Sequence, residues 1–400
     1  MAKKSTKKVS AKKIEKVVKK ASKSKYFGVF IVVVAIMIAA FVLYCYFNPE
    51  IYNALFNKGG EPLRSKDNVI KYYETSYTAS AEIDDVKIHV VDVGQGDAII
   101  IELPDGSNVL IDAGKSSKHQ QLLAYTESLN IDVFDVVLLT HSDEDHVGGM
   151  DEIFRDYVVK NVYRPYIFSN NKDYQFEAGF NQGEVQHETD AYAKFLNCLY
   201  IETYLDDNQN YYCNWEFFNA DSGFSRDIIY NGVTYEYKFD FLTPTKNFDK
   251  LEYDEYNDFS PYVLFTYGVK GAEEGDSRFD MLFTGDAEHD ALEELLDAYA
   301  TTNLDVDVLK VGHHGSRTST TTEFINKITP EHALISCGED KHYKHPHQSV
   351  LDILVENDVG VFRTDKHKDI IVSVSISGEY GITYTQTGTI LNLFVGGDAS

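Results

Sequence analysis

Positive charge is what most of this chain lacks. The formal net charge is −26, yet residues 1–25 hold eleven Lys against the single acid Glu15, which makes that stretch +10 and the remainder about −36. So acidic a body is excluded from tight, non-specific wrapping of long duplex DNA, because such binding needs several neutralised phosphates. Cysteine is also scarce: there are four, none of them in a Cys-x-x-Cys pair, so they say nothing about a metal. Cys198 and Cys213 are a candidate disulfide that spacing alone leaves open. A small-x-small cleavage site is missing after the long apolar run. Tyr44-Cys45-Tyr46-Phe47-Asn48 is bulky there, which argues against a cleaved signal peptide, and Tyr44 argues against lipid attachment at Cys45.

What is present begins with that run. Tyr26 to Phe47 is 22 positions without a charge, long enough as a helix to span roughly 30 Å of bilayer core. The Lys-rich flank stays on the cytoplasmic side and the body lies outside. The organisation expected is therefore a basic cytoplasmic tail at 1–25, a single transmembrane helix at 26–47, a linker at 48–85, a folded domain at 86–388 and a tail at 389–400.

Within the domain, apolar alternation predicts strands at Lys87–Val91, Ala98–Leu103, Asn108–Asp112, 158–166, Thr234–Leu242, Pro261–Tyr267, Phe279–Phe283, Val306–Val311 and Ala333–Cys337. Further strands are expected near Val361, at Ile370–Ser375 and at Ile382–Thr385. Helical spacing falls at Lys118–Asn130, Met150–Tyr157, Glu184–Leu205, Asp290–Tyr299, Thr321–Lys327 and Ser349–Asn357. Strands, helix, strand and motif occur twice over, which suggests two packed sheets with helices outside. The insert at about 168–232 is hard to read. Its aromatic tract Tyr211 to Phe218 fits a packed insert better than a lid or a ligand surface.

The chemistry is concentrated at strand ends. Val136 to Leu139 is a buried-strand pattern that runs into His141-Ser142-Asp143-Glu144-Asp145-His146 and then Gly148-Gly149. Four potential ligands in six positions at a rigid strand tip are how a metal is held. His141 and Asp143, two apart, point the same way on extended backbone. Asp145 and His146 lie on the turn and can face a second ion. Asp286 ends another strand, in Thr284-Gly285-Asp286, and a carboxylate can bridge two cations. His313 or His314 comes from a third strand, with His314 slightly preferred. Asp92, Asp97 and Asp112 read as turn residues or supports for the ligands.

These motifs, together with His89-Val90-Val91-Asp92-Val93-Gly94-Gln95-Gly96-Asp97, Ile111-Asp112-Ala113-Gly114, Asn257-Asp258-Phe259-Ser260 and His345-Pro346-His347, resemble the metallo-β-lactamase superfamily. More narrowly, residues 86–385 look like the extracellular hydrolase domain of ComEC-type competence proteins, here without a polytopic channel region. The resemblance implies an α/β fold, an αββα sandwich, with two divalent ions, Zn or Mn with Mg also allowed. The second position of the main motif is Asp143 where the broad superfamily has His, as in the ComEC-type variant. A further His expected later has no clear counterpart, since His187 sits in the predicted helix. More oxygen donors shift preference from Zn²⁺ toward Mn²⁺ or Mg²⁺.

The catalytic residues expected are Asp145, His146 and Asp286, and paired divalent ions suit in-line attack on a phosphodiester. Seven of the thirteen His fall between 313 and 367, interleaved with Arg317, Lys341, Lys344, Arg363, Lys366 and Lys368. Loops there are expected to form a cationic rim for phosphate, with Ser316, Arg317, Thr318, Ser319, His345 and His347 touching substrate. His342 and His367 read as solvated. The function expected is a membrane-anchored extracellular phosphodiesterase or nuclease acting on nucleic acid. The alternatives are a hydrolase of a cell-wall phosphoester or of an ester, lactone or β-lactam, and a non-catalytic surface binding protein.

Overall fold

The computed structural model describes residues 76–78, 85–176, 180–187, 189–203, 213–220, 222–246, 253–272, 277–338, 343–390, 393–394 and 396. In chain order its strands are β1 (Ser76–Thr78), β2 (Val86–Val90), β3 (Ile99–Glu102), β4 (Asn108–Ile111), β5 (Val133–Leu138) and β6 (Val158–Arg164). Then come β7 (Phe168–Ser169), β8 (Gln186–His187), β9 (Asn214–Phe217), β10 (Gly223–Tyr230), β11 (Val233–Phe241) and β12 (Val263–Val269). The last are β13 (Arg278–Phe283), β14 (Val308–Lys310), β15 (His332–Ile335), β16 (Gly360–Arg363), β17 (Ile370–Val374) and β18 (Tyr380–Tyr384). The α-helices are α1 (His119–Ser128), α2 (Glu144–Val147), α3 (Met150–Asp156), α4 (Asp190–Thr203), α5 (His289–Ala298), α6 (Thr322–Ile328), α7 (Gln348–Glu356) and α8 (Thr364–His367).

Two eight-stranded sheets form the frame, one in the order β18-β17-β2-β3-β4-β5-β6-β9 and the other β1-β10-β11-β12-β13-β14-β15-β16. Period-two alternation decides which side each residue faces. Val86, Ile88 and Val90 enter a core shared by both sheets with Phe239, Phe265, Phe279 and Met281. The opposite face of the first sheet packs Ile100, Leu110 and Val137 against Leu122, Ile153 and Leu196 of α1, α3 and α4. The opposite face of the second packs Leu282 and Leu309 against Leu292, Phe324 and Leu351 of α5, α6 and α7. These are the four layers of an αββα sandwich. Strands β4 and β5 are parallel neighbours, as are β13 and β14. Parallel neighbours end at the same edge of a sheet, so the motifs that follow each pair are brought together.

Several expectations are corrected. The helix expected from Glu184 begins only at Asp190, and His187 lies in β8, paired with β7. The insert also contributes to the frame, since β9 edges the first sheet and β10 joins the second. Strands β10 and β11 form a hairpin through Asn231 and Gly232, both at positive φ, which is the Asn-Gly signature of a tight hairpin turn. The second sheet reaches into the stretch read as linker, because Ser76–Thr78 pairs in parallel with β10. The terminal stretch read as a tail is tied to the domain. Arg363 Nη1 donates to Leu393 O at 2.8 Å, and Gly396 N donates to Gln348 Oε1 at 2.8 Å. Cys198 is a free thiol, so it forms no disulfide with Cys213. Among the described residues no helix is long and apolar enough to cross a membrane, and 26–47, the expected anchor, lies outside them.

Candidate metal centre

Residues beyond β5 build the first wall of the site. Asp112, just after β4, sits at φ 56 with no exposed surface. Its carboxylate accepts from Thr140 N at 2.8 Å, from Thr140 Oγ1 at 2.7 Å and from His146 Nδ1 at 2.7 Å. It thus joins the ends of β4 and β5 to helix α2. Burial pushes the Asp112 pKa up, against the pull of His146 and Thr140. Thr140 Oγ1 is spent as a donor on Asp112, so at 3.0 Å from His141 Nδ1 it accepts that N–H.

The second sheet supplies the other wall. Asp286 follows β13 through Gly285, whose φ is 48. A Cβ at Gly285 would lie 2.8 Å from Thr140 Cβ and 2.9 Å from Ser260 Cβ, so the sheets approach here only because the residue is glycine. Ser260 Oγ accepts from Asp286 N at 3.1 Å. Beyond β14, His313 and His314 both take left-handed backbone, at φ 46 and 53. His314 turns inward and donates Nδ1–H to Ser336 O at 2.9 Å.

Three buried imidazoles therefore have Nδ1 occupied by an oxygen acceptor and present Nε2 to one carboxylate. His146 Nε2 lies 3.2 Å from Asp286 Oδ1, His314 Nε2 lies 3.3 Å from Asp286 Oδ2, and His141 Nε2 lies 4.0 Å from Asp286 Oδ2. His146 Nε2 and His314 Nε2 are only 3.3 Å apart. In neutral rings these are facing lone pairs, which repel unless a proton or a cation stands between them. His141 Nε2 and Asp286 Oδ1 are buried without a hydrogen-bond partner. These orphaned atoms and facing lone pairs fit a divalent cation.

The electrostatics point the same way. Burial opposes charge on His146 and His314, but Asp286 overcomes it, helped by Asp112 at His146 and by Asp145 at His314, and both rings are held well above the ordinary histidine range. Burial likewise opposes charge on Asp286, and His146 and His314 hold it well below the carboxylate range. His141, buried beside His146, is pushed down to about 3. Without a metal, two imidazolium rings supply the positive charge these carboxylates demand.

The expected ligands gather unequally. Donor atoms of His141, His146 and Asp286 lie within 4.8 Å of one another, and so do those of Asp145, His146 and His314. Asp97, Asp112 and His146 make a third such group, but its acids are engaged by Lys310 and Thr140. Asp143 stands outside these groups, half-exposed, with Oδ1 3.8 Å from His187 Nδ1, and burial followed by Asp145 pushes it up to about 6. His313 lies at the rim, with Nδ1 2.8 Å from Glu288 Oε1 and Nε2 3.7 Å from Asp286 Oδ2.

The phosphate rim differs from expectation. Arg363 is buried and engages both oxygens of Asp365, Lys366 pairs with Asp365, and Lys368 pairs with Asp92. Lys341 and His342 lie outside the described residues. His367 is buried, not solvated, and its Nδ1 accepts from Arg363 N. Arg317 is exposed, and its N–H donates to His347 Nδ1 at 3.0 Å. Ser319 Oγ turns inward to Gly312 O and Ser316 O, so it braces the loop rather than facing substrate. Ser316 and Thr318 hydroxyls bond each other at 2.8 Å. His345 stacks edge-on against His313 at 5.2 Å and against His347 at 4.8 Å.

Three participants were missed from sequence. Lys310 is fully buried, with Nζ 2.6 Å from Asp97 Oδ2, directly under His314. A lone Lys ending an otherwise apolar strand was its only signal. Glu288 orients His313, two residues after Asp286. His187, set aside from sequence because it fell in the expected helix, packs on the main motif, with Nδ1 2.7 Å from Ser142 Oγ.

Residues 91–195 match the family model of the metallo-beta-lactamase superfamily. Over 309 residues the chain is 27% identical to ComE operon protein 3 of Bacillus subtilis (strain 168), covering 71% of this chain and 32% of that protein. It is 26% identical over 305 residues to Recombination protein 2 of Haemophilus influenzae, covering 75% and 29% respectively. The chain therefore spans about a third of the length of these relatives. Among solved structures, a long form RNase Z from yeast overlaps at a TM-score of 0.37 and 14% identity, covering 72% of this chain and 42% of that one, too slight an overlap to bear on function. Residues 91–195 thus carry a metallo-beta-lactamase superfamily match, and ComEC-type competence proteins are among the relatives to which the chain is similar.

Proposed function

We propose that the chain is a membrane-anchored phosphodiesterase that acts on nucleic acid outside the membrane. One observation carries the hydrolytic part: three imidazole Nε2 atoms converge on Asp286, two of them 3.3 Å apart with their Nδ1 atoms already engaged. His141, His146 and Asp286 would hold one divalent ion, and the overlapping group Asp145, His146 and His314 would hold another. Three imidazoles and two carboxylates suit Zn²⁺ or Mn²⁺ better than Mg²⁺. When bound, such ions supply charge stabilisation at phosphoryl oxygens and water acidic enough to attack at neutral pH.

The remaining work falls to this chain's own side chains. Asp145, partly exposed at the mouth, accepts a hydrogen bond from the attacking water and orients it. Burial opposes charge on His313, but Asp286 and Glu288 overcome it and raise its pKa. His313 Nε2 faces the cluster, 3.7 Å from Asp286 Oδ2, where the ring would pass a proton to the leaving oxygen. Arg317 and the Ser316 and Thr318 hydroxyls engage the flanking phosphate. The Lys-rich flank and the uncharged run 26–47 support the anchor and the outside location.

Full-length protein assayed with Mn²⁺, Mg²⁺ or Zn²⁺ is expected to turn over bis-p-nitrophenyl phosphate and a DNA strand, and to stop in chelator. Turnover of a lactam or lactone with none of any phosphodiester would contradict the reading. Protease added to intact cells is expected to remove the body, and protection would contradict the topology.

A further inference from the structure

Four large aromatic side chains are exposed among the described residues: Tyr256 at 37%, Tyr343 at 55%, Tyr384 at 42% and Phe394 at 47%. Two of them flank the metal centre, and both are built the same way. The Tyr256 ring stacks on His187 at 4.1 Å and 19°, and its hydroxyl donates to Gln186 O at 2.8 Å. His187 in turn touches Ser142 and Asp143 of the main motif. The Tyr343 ring stacks on His345 at 5.8 Å and 26°, and His345 lies 5.2 Å from the His313 ring and 6.2 Å from the His314 ring. Each tyrosine is thus one histidine away from the centre, one beside the tip of the first sheet and the other beside the tip of the second. A histidine backs each ring, and both residues remain exposed to solvent.

Phosphate contacts are a poor source of affinity here. The chain outside its first 25 residues is strongly acidic, and Arg363, Lys366 and Lys368 are committed to internal carboxylates. Aromatic stacking needs no neutralised phosphate, and every base offers a flat face to it. A duplex hides those faces inside its stack, whereas a single strand can turn them out. We propose that Tyr256 and Tyr343 are stacking platforms for unpaired bases of a single-stranded nucleic acid whose backbone crosses the metal centre. The proposal rests on the phosphodiesterase reading above and narrows its substrate to single strands.

The test compares a short oligothymidylate with an abasic strand of the same length, using the full chain. The readout is the ratio of kcat/KM for the two strands. Wild type is expected to prefer the base-bearing strand by about tenfold or more. In the double variant Tyr256→Ala, Tyr343→Ala the ratio is expected to fall towards unity through a rise in KM, and Tyr256→Trp, Tyr343→Trp is expected to keep it. If the alanine variant does not fold, Tyr256→Leu, Tyr343→Leu keeps apolar cover without a flat ring and is expected to lose the preference too. A wild type without preference, or a preference that survives loss of both rings, overturns the proposal. Should wild type cut neither strand, the phosphodiesterase reading fails, and the same ratio is then read as Kd by fluorescence anisotropy. An equal Kd for the two strands overturns the stacking proposal, and a preference that depends on the tyrosines upholds it.

Discussion

The metal centre and the insert each bury a cation, and they do it differently. Under His314, Lys310 gives its ammonium to Asp97 at 2.6 Å and to Val311 O at 3.1 Å. Beneath the insert, Arg164 at the end of β6 has no exposed surface and its donors go to neutral oxygens: Ile167 O at 2.9 Å, Tyr192 hydroxyl at 3.3 Å and Phe180 O at 3.1 Å. Four rings surround its guanidinium, with Phe217 at 4.5 Å, Trp215 at 4.6 Å, Phe168 at 5.6 Å and Phe180 at 5.7 Å. Near the metal, charge is balanced by charge. Beneath the insert it is balanced by dipoles and ring quadrupoles. The first arrangement holds a ligand histidine in an electrostatic frame. The second ties a string of very short strands to β6, so Arg164 is a packing hub rather than part of the chemistry.

The largest expected effect tests the charged pair. Lys310→Met leaves Asp97 buried without its ammonium partner, which costs about 3–5 kcal/mol of stability in chemical denaturation. Asp97→Asn added to it is expected to recover much of that loss. If the double variant is no better than the single one, the ion pair is not what the site depends on. Arg164→Met comes next. It removes three donors and the ring contacts, for a loss of about 2–4 kcal/mol, with faster hydrogen exchange expected in 168–217 and little change around His141. Spreading of that exchange into the metal centre would dissolve the distinction between the two regions.

Acid gives the smallest effect and the sharpest separation. Burial alone would raise the Asp97 pKa, but Lys310 and His314 hold it below the ordinary carboxylate value. A depressed carboxylate contributes stability that is fully present above the unfolded pKa and is lost as pH falls through the lower folded one. Below about pH 4, exchange protection around β14 is therefore expected to weaken, while that around Arg164, which has no carboxylate partner among the contacts above, is expected to hold. Equal weakening in both places would contradict the contrast.

The same contrast explains what sequence could and could not reveal. His141, His146, Asp286 and His314 were readable because each lies in a motif that follows an apolar strand, and parallel strands bring their tips to one edge. The sandwich itself followed from alternation and from the repeated order of strands and helix. Lys310 was hidden because a lysine at a strand end looks like a solvated one, and only the fold puts Asp97 beneath it. The insert was opaque for a related reason. Strands β7 and β8 have two residues each and β9 has four, too few to display a period. Their order comes from Arg164, which reaches rings up to 53 positions away in sequence at Phe217. The cationic rim was misread because the acids that neutralise Arg363 and Lys368 were not considered with them. Asp365 is two residues from Arg363, and Asp92 is distant in sequence from Lys368.

The central claim is that Asp286 and the imidazoles facing it form a metal site. Calorimetric titration of the metal-stripped full chain with Mn²⁺ and with Zn²⁺, for wild type and for Asp286→Ala, tests it most directly. The account predicts two bound ions per wild-type chain and release of protons from His146 and His314 as the metal enters, with both signals lost in the variant. A wild-type chain that binds neither ion, or an Asp286→Ala chain that binds as wild type does, would contradict it.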